Sequence, residues 1–375
     1  MSEIKTILVI GATGHFGGRI CRRLIGEPNT RLIVASRNLS KATSFANELK
    51  TLSASYEVIP YSIDQYSSTF EQDLYNLSPD IVVHTAGPYQ GQSYSVAKAC
   101  IAARCHYLDL ADGREFVERF SELDEAAKNA GILAVSGAST LPGLSSAVIN
   151  RFRDKFLSIN AVNISIAPAH QTPRGIGTIS AVLSYCGKSF DVLEDGTSVT
   201  RYGWQDLRWQ QYPELGRRLS GACDVPDLSL LRDYLLGIKT VTFHAALEAW
   251  WEQLGLWCMG WLTRFGLIKN WLGLVPFFES LSEKLINFGS EKGGMHIRIS
   301  GTGTDGKQKE LTWYLTAKRN HGPEVPCTPA LVLVRKLARN ELSQRGAFPC
   351  LGLITLDDFD AEVKALEISW QIVSE

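Results

Sequence analysis

Short apolar runs alternate with stretches of helical periodicity over the first third of the chain. Residues 6–10 form an apolar run rich in β-branched residues that a glycine ends at once, which is typical of a buried parallel strand. Residues 16–25 then place Ile20 and Leu24 at helical spacing, and Gly26 followed by Pro28 ends that pattern. The alternation continues, with strands predicted at 32–35, 56–63, 80–84, 106–110 and 132–135 and helices at 41–49, 94–104 and 116–130. The pattern therefore predicts an α/β domain over residues 1–140, a Rossmann fold with a doubly wound parallel sheet.

Beyond Pro142 this alternation is lost. A strand is predicted at 159–167, a helix at 178–186, and two alternating runs within 295–318 are joined by Thr304-Asp305-Gly306-Lys307, a hairpin signal. We therefore expect a second, α+β domain over 141–327 with a mixed or antiparallel sheet that covers the cleft of the first domain. A helix at 329–342 suggests that the segment from about 328 to 375 packs back on the first domain.

The segment 244–288 is unusually aromatic and interrupted by glycines. Its uncharged stretch 253–263 is far shorter than the roughly 20 residues that span a bilayer. Three interpretations remain open: a buried dimer or interdomain helix pair, a lid over an apolar substrate, and an interfacial membrane helix flanked by Arg264 and Lys269. The aromatic residues concerned are Trp250, Trp251, Trp257, Trp261, Phe265, Trp271, Phe277 and Phe278.

Composition narrows the class of protein. The chain has 375 residues, 45% hydrophobic content and a formal net charge of -1, which is ordinary for a globular protein and gives no reason to expect a nucleic-acid partner. Eight cysteines are scattered without metal-ligand spacing, so we expect no metal site and a reducing compartment. The N-terminus shows no export signal. We predict a cytoplasmic homodimer, with peripheral membrane contact through 244–288 as an added possibility.

The run Gly11-Ala-Thr-Gly14-His-Phe-Gly17 follows the first predicted strand and opens the first helix. In this setting the first glycine permits a tight turn, the second lets the backbone approach a pyrophosphate, and the third allows close helix packing. A helix N-terminus also offers N–H groups and a positive dipole end to an anion. A plain turn into a helix is the alternative. We predict a dinucleotide site, and the candidate residues are Gly11, Thr13, Gly14, His15, Phe16 and Gly17.

The ends of the next strands carry further candidates. An NAD-selective site usually has an acidic residue after the second strand, whereas this chain has Ser36 and Arg37, and a guanidinium there favours the 2′-phosphate of NADP(H). Asp64 follows the third strand as a contact to the adenine side or as a helix cap. The turn Thr85-Ala86-Gly87 after the fourth strand leaves room for the nicotinamide, and Tyr89 is expected to point toward substrate or to belong to the turn.

Together these motifs resemble the saccharopine dehydrogenase-like oxidoreductases, with the trans-acting enoyl reductases as a close branch. The resemblance implies an NADP(H)-dependent enzyme that transfers hydride to an imine, enone or carbonyl of a small or lipid-like substrate. It also implies that Tyr89 and Asp109 lie near the reaction centre, as catalytic candidates. The other matching features are Ala99-Cys100, His106-Tyr-Leu-Asp-Leu110, Leu141-Pro-Gly-Leu-Ser-Ser-Ala147, Gly177-Thr178, Asp224-Val-Pro-Asp227 and Gly346-Ala-Phe-Pro-Cys350.

Several alternatives stay open. Tyr94 and Lys98 have the spacing of the short-chain dehydrogenase pair, but they follow Gly87 too closely for that role. Asp109 is the better acid or base, with a structural carboxylate as the other interpretation. His170 and Arg174 flank a loop that could reach substrate carboxylates or lie on the surface. A non-catalytic protein that senses NADP(H), or a membrane-associated scaffold, is the alternative function.

Overall fold

The computed structural model describes residues 4–374, which form two compact units. The first unit comprises residues 4–144 and 324–354, and the second comprises 145–323 and 355–374. The chain therefore passes from one unit to the other three times. The prediction that the whole segment from 328 returns to the first domain is wrong for 355–374, because those residues form a helix and an edge strand of the second unit. Residues 1–3, on which the expectation about an export signal partly rests, lie outside the described residues.

Regular elements account for most of both units. The strands are β1 (Lys5–Ile10), β2 (Thr30–Ser36), β3 (Val58–Ser62), β4 (Ile81–His84), β5 (His106–Asp109), β6 (Leu133–Ser136), β7 (Phe156–Ala167), β8 (Ser189–Glu194), β9 (Thr197–Tyr202), β10 (Arg208–Tyr212), β11 (Gly216–Ala222), β12 (Thr240–Ala246), β13 (Gly293–Gly303), β14 (Gln308–Ala317), β15 (Gly346–Pro349) and β16 (Ile368–Ser374). The helices are α1 (His15–Leu24), α2 (Leu39–Leu52), α3 (Phe70–Leu77), α4 (Ser95–Ala102), α5 (Arg114–Glu118), α6 (Asp124–Ala130), α7 (Ser145–Arg153), α8 (Ile176–Ser184), α9 (Asp227–Tyr234), α10 (Trp250–Arg264), α11 (Val275–Leu285), α12 (Glu324–Ala338) and α13 (Leu356–Val363).

A seven-stranded parallel sheet forms the centre of the first unit. Its strand order is β15-β6-β5-β4-β1-β2-β3, so the order reverses between β1 and β4. The predicted doubly wound sheet is confirmed, and β15, from the C-terminal segment, extends it beside β6. In such sheets ligands bind where the strand order reverses, at the carboxyl ends of the strands. That edge carries the candidate residues.

The predicted helix 116–130 is divided into α5, a 3-10 turn at Phe120–Leu123 and α6. The division coincides with the docking of β15, because Asp124 Oδ1 at the start of α6 accepts a hydrogen bond from the backbone N–H of Ala347 at 3.0 Å. A contact to a strand more than 200 residues away overrides local helical periodicity here.

A nine-stranded mixed sheet forms the second unit, as predicted for its class. Along the main path the order is β10-β11-β12-β7-β13-β14-β16, and β8 pairs with both β12 and β9. Only β12 and β7 run parallel within this path. The expected hairpin joins β13 to β14, with Gly306 at φ 78° in its turn. Strands β8 to β12, which begin at residue 189, were not predicted.

The aromatic segment folds as α10, a 3-10 turn at Leu272–Leu274 and α11. Helix α10 packs on β11, and α11 packs on α8. Indole Nε1 of Trp271 donates a hydrogen bond to Thr263 Oγ1 at 2.8 Å, which fixes the connection to the end of α10. Among the described residues, no helix is both long and apolar enough to cross a bilayer.

Candidate dinucleotide-binding site

The glycine loop is held against the end of β2. Gly11 has a φ of 81°, a conformation that residues with a side chain rarely adopt, and this turns the chain off β1. The N–H groups of Gly11 and Ala12 both donate to the carbonyl oxygen of Ala35, at 3.1 and 3.0 Å. The N–H of Gly14 donates back to the carbonyl oxygen of Gly11 at 2.9 Å. Backbone hydrogen bonds therefore hold the loop against the end of β2.

Thr85, which follows β4, closes the loop from the other side. Its hydroxyl donates to the carbonyl oxygen of Ile10 at 2.8 Å. A Cβ on Gly17 would lie 2.6 Å from Thr85 Oγ1 and would overlap the carbonyl oxygen of Gly11. A Cβ on Gly14 would meet only that carbonyl, at 3.1 Å. Gly17 is thus required by packing, whereas Gly14 leaves an open approach to the N-terminus of α1.

Helix α1 begins directly at this approach. Gly14 is its N-cap and provides no side-chain cap, so the first N–H groups are available to an anion. Thr13 is exposed, and His15 and Phe16 are partly exposed beside it. Burial, followed by the charge of Arg19, lowers the pKa of His15 to about 4, so His15 is neutral at pH 7. The arrangement suits a phosphate group approaching from outside the loop.

The end of β2 presents a cation. Ser36 is buried, and its hydroxyl donates to the carbonyl oxygen of Asn38 at 2.8 Å, which forms the turn into α2. Asn38 caps α2 by accepting from the N–H of Lys41 at 3.1 Å. Arg37, between these two anchored residues, is exposed. Asp64 does not cap a helix: its Oδ1 accepts from the N–H of Tyr66 at 3.1 Å in a turn before α3.

The turn after β4 is held by Gln92, which the sequence did not single out, and by the candidate Tyr89. The amide nitrogen of Gln92 donates to the carbonyl oxygens of Ala86 and Pro88, at 3.0 and 2.7 Å. Tyr89 is buried, and its hydroxyl donates to the carbonyl oxygen of His84 at 2.7 Å. Burial and the charge of Asp109 raise the pKa of Tyr89 well above its ordinary value. The hydroxyl proton of Tyr89 is therefore engaged with the backbone.

His84, the last residue of β4, is fully buried among polar partners. Its ring nitrogens lie 2.6 Å from Gln65 Oε1 and 3.0 Å from the Tyr107 hydroxyl. Burial lowers the pKa of His84 to about 4. A neutral imidazole can donate to Gln65 and accept from Tyr107, which satisfies both nitrogens. These hydrogen bonds fix His84 at the carboxyl end of β4, next to the turn that carries the candidate residues.

Asp109 ends β5 and is 0% exposed. Its Oδ1 accepts three hydrogen bonds, from the N–H of Ala111 at 2.9 Å, the N–H of Gly137 at 2.8 Å and the hydroxyl of Ser136 at 3.0 Å. Burial raises the pKa of Asp109 to about 6, and the three donors act in the opposite direction. The carboxyl group thus joins the loops that follow β5 and β6.

The remaining candidates lie elsewhere. Tyr94 donates its hydroxyl proton to the carbonyl oxygen of Phe116 at 2.8 Å, while Lys98 is exposed on α4. His170 and Arg174 belong to the second unit, where Nε2 of His170 lies 2.9 Å from the carbonyl oxygen of Leu285 and Arg174 lies 3.8 Å from Glu252. Among residues 4–374 no group of three or more histidine, cysteine, aspartate or glutamate side chains is arranged to hold a metal ion.

Comparison with known proteins agrees with this geometry. Residues 7–135 match the model of the saccharopine dehydrogenase NADP binding domain. These residues belong to that family. The match spans the glycine loop, the end of β2, the turn after β4 and Asp109. The predicted resemblance to the saccharopine dehydrogenase-like family and the expected type of cofactor domain are thereby confirmed.

Among solved structures, the chain is similar to apo saccharopine dehydrogenase (L-Glu forming) from Saccharomyces cerevisiae, with a TM-score of 0.68 and 15% identity over 98% of this chain and 100% of that one. This similarity shows that the two chains share a fold over nearly their whole length. This chain is also matched by GenD2 from gentamicin A biosynthesis in complex with NAD, with a TM-score of 0.43 and 14% identity over 98% of this chain and 93% of GenD2. No curated protein matches the chain.

Sequence reasoning found the loop but missed its supports. Gln65, His84 and Ser136 hold the edge by hydrogen bonds between segments 19 to 27 positions apart. Gln92 holds the turn after β4 by hydrogen bonds within that turn. In the sequence, only the position of His84 at the end of a predicted strand indicates that one of these residues belongs to the site. Side-chain amides and hydroxyls in loops carry no periodicity that would reveal their partners.

Proposed function

We propose that this chain is an NADP(H)-dependent oxidoreductase that transfers hydride between the cofactor and an imine, enone or carbonyl carbon. The observation that carries the proposal is the glycine loop at the point where the strand order reverses, with Arg37 exposed at the end of the neighbouring strand. The family matched by residues 7–135 supports the cofactor, and the fold of the yeast enzyme supports the class of reaction.

The residues present fit a dinucleotide. At Gly14 a side chain would extend into the approach to the helix N-terminus, where the pyrophosphate would be held by backbone N–H groups. Arg37 would hold the 2′-phosphate through a charge-assisted hydrogen bond. Thr85, Ala86 and Gly87 keep the turn after β4 small, which leaves room for the nicotinamide.

When bound, the reduced nicotinamide supplies the hydride. The residues of the chain would hold the cofactor and substrate in place. Asp109 joins the ends of β5 and β6, Tyr89 fixes the turn after β4, and Gln92 holds that turn from its other side. We therefore assign Asp109 and Tyr89 as positioning residues of the reaction edge, in place of the catalytic role predicted for both and of the acid or base role predicted for Asp109. Rate enhancement would come mainly from orientation of the reactants.

The cofactor assignment is tested by Arg37→Asp. We expect the affinity for NADPH to fall about tenfold or more while that for NADH changes little, because a charge-assisted bond contributes about 1.5–3 kcal/mol. Fluorescence titration with both cofactors measures this. Lys50→Asp makes the same charge change at the far end of α2 and should leave both affinities near those of the parent chain. An unchanged preference in Arg37→Asp would contradict the assignment.

A second candidate function is an NADP(H)-sensing scaffold without turnover. It is favoured by one observation: the Tyr89 hydroxyl is engaged with the backbone, and Asp109 is wholly buried. NADPH oxidation in the presence of a 2-oxo acid plus an amine, or of an enone, separates the two functions. Binding of NADPH with no turnover of either substrate class, nor of any ligand that copurifies and is identified by mass spectrometry, would favour the scaffold.

A further inference from the structure

The aromatic segment exposes an apolar surface within the second unit. Along α10 and its C-cap residue Phe265, the residues Trp251, Gly255, Cys258, Leu262 and Phe265 recur at spacings of three and four on one helical face, and all five are exposed. Beside this face, an open groove of ≈ 390 Å³ is lined by side chains that are all apolar. The groove residues are Trp257, Cys258, Trp261, Leu262 and Phe265. We call this face and groove, together with the exposed face of α11, the α10–α11 surface.

The exposed face of α11 combines an aromatic side chain with polar and basic ones. Phe277 is 59% exposed, and Ser280 and Lys284 share its helical face at spacings of three and seven. At about 100° per residue, Glu279 lies roughly 200° around the helix from Phe277, away from this face. Leu272 and Leu274, exposed in the connecting 3-10 turn, join the two helices. Exposed apolar patches rimmed by polar residues mark sites of interaction with a protein or a membrane.

The charged residues of the α10–α11 surface indicate which kind of partner it binds. Between Glu252 and Glu279 the chain carries two basic residues, Arg264 and Lys269, and no acidic residue. Lys269 is exposed, and the Arg264 guanidinium lies over the rings of Tyr202 and Trp261, at 3.9 and 4.2 Å from their centroids. The exposed charged residues of α10, α11 and their connection are Arg264, Lys269, Lys284 and Glu283, so basic residues are in excess. A two-fold dimer built on this surface would bring two surfaces of net positive charge together, which is unfavourable. Tryptophan, phenylalanine and leucine beside basic residues are the combination that binds the interface of an anionic lipid layer.

We propose that the α10–α11 surface docks the protein on a lipid surface that carries anionic headgroups. The two helices lie along the interface, with Phe265 and Phe277 inserted among the acyl chains and Arg264 and Lys269 facing the headgroups. Short amphipathic helices bind membranes in this way without crossing them. The proposal is independent of the cofactor and of the reaction.

Cys258 gives a direct readout, because it is the one exposed cysteine among the eight. An environment-sensitive fluorophore attached to its thiol should show a blue shift and increased emission when phosphatidylcholine vesicles containing phosphatidylglycerol are added. Vesicles of phosphatidylcholine alone should bind more weakly, and added salt should weaken binding to the anionic vesicles. A fluorophore signal that does not respond to anionic vesicles would overturn the proposal.

Vesicle co-sedimentation of the unlabelled protein provides the second measurement. We expect the double variant Phe265→Ser/Phe277→Ser to lower the partition coefficient about tenfold or more, because both side chains are exposed and large. Trp209→Ser, which removes a 54% exposed aromatic elsewhere in the same unit, is the matched control and should bind like the parent. Arg264→Gln/Lys269→Gln should remove the preference for anionic vesicles, whereas Arg232→Gln should not.

Self-association is the competing outcome. If light scattering shows a dimer that Phe265→Ser/Phe277→Ser dissociates, while the parent chain does not sediment with anionic vesicles, the surface is an interface between copies and the lipid proposal is wrong. Equal binding of the parent and the double variant to vesicles would also refute it.

Discussion

Gly14 and Gly17 stand three positions apart in the same loop, yet the structure requires them for different reasons. Gly17 faces backbone and the Thr85 hydroxyl, where a single carbon finds no room. Gly14 has an ordinary negative φ of -83° and faces the open approach to α1. The sequence motif assigns them similar importance, and only the contacts separate packing from binding.

The different surroundings of Gly14 and Gly17 predict different effects of an alanine at each position. Gly17→Ala should destabilise the protein by about 1–3 kcal/mol, because the loop must shift to accept the methyl group, and it should also lose NADPH binding. Gly14→Ala should keep most of the stability and lose only the binding. Chemical denaturation and NADPH titration measure the two effects separately. If both variants lose stability equally, the assignment of Gly14 to the phosphate approach is wrong.

Asp227 shows how burial makes one carboxyl group sensitive to pH. It begins α9, is 0% exposed and accepts a hydrogen bond from the hydroxyl of Ser145 at the start of α7. Burial raises the pKa of Asp227 to about 7, above its ordinary value of 3.8. The folded state therefore favours the protonated carboxyl. Its contribution to stability is fully present below pH 3.8 and is lost as the pH rises through 7.

Asp227→Asn should remove this dependence, because an amide stays neutral. Relative to the parent, the variant should gain several kcal/mol at pH 8, about 4 at most, and little at pH 4. Urea unfolding at the two pH values measures the change. Asp233→Asn on the same helix, where the carboxylate side chain is 80% exposed, is the control and should show no such gain. The same pH dependence in parent and Asp227→Asn would contradict the prediction.

At the scale of elements, the second sheet separates its two faces by register. His244, Ser165, His296 and Tyr314 lie in one row across β12, β7, β13 and β14, and the neighbouring row consists of Phe243, Ile164, Ile297 and Trp313. Successive residues of a strand point to opposite faces, so one face is polar and the other apolar. Helix α7 packs against β7 and β13. On the polar face, the Ser165 and Tyr212 hydroxyls form a hydrogen bond.

Helix α13 depends on its first residues. Thr355 and Asp358 form a capping box, in which the N–H of Asp358 donates to Thr355 Oγ1 at 3.0 Å and the N–H of Thr355 donates to Asp358 Oδ2 at 2.8 Å. Thr355→Ala should cost about 0.5–2 kcal/mol of stability, and Thr355→Ser should recover most of it. Tryptophan fluorescence during urea unfolding reports this, since Trp370 of β16 belongs to the same unit. Equal losses in both variants would show that the hydroxyl is not the cause.

At the scale of the whole molecule, the first unit is assembled from two distant segments. Residues 324–354 supply α12 and β15, and ten of the fifteen residues of α12 are buried. This helix packs against α1, directly behind the glycine loop. Gly143, near the end of the first segment, lies against Pro329, with 3.0 Å between a Cβ built on Gly143 and Pro329 Cβ. The two segments are therefore adjacent where the second unit is inserted.

This organisation predicts the behaviour of fragments. Residues 4–144 alone should fail to bind NADPH, because α1 would lose the helix that covers it. The same residues joined to 324–354 by a short glycine-serine linker should fold and bind it. Far-UV circular dichroism and NADPH fluorescence test both fragments. All nine tryptophans lie in the second unit, so the joined fragment should show no tryptophan emission of its own. Binding by residues 4–144 alone would contradict the prediction.

The sequence by itself determined those features that depend on neighbours along the chain. The six strands before residue 137, the glycine loop, the Ser36–Arg37 turn and the β13–β14 hairpin all follow from local periodicity and turn chemistry, and the structure contains them. The predicted homodimer and cytoplasmic location stay predictions.

Tertiary structure alone decided the hydrogen bonding of the candidate side chains, the break in one helix and the place of the C-terminal segment. It buried Asp109 under three hydrogen bonds and engaged the Tyr89 hydroxyl, it broke the predicted helix 116–130 where β15 docks, and it placed 355–374 in the second unit. Apart from the local bonds of Tyr89 to His84 and of Ala111 to Asp109, these features depend on partners 27 to more than 200 positions away. The free energy of burial and the pairing of polar groups are properties of those contacts, so no local pattern of residues encodes them.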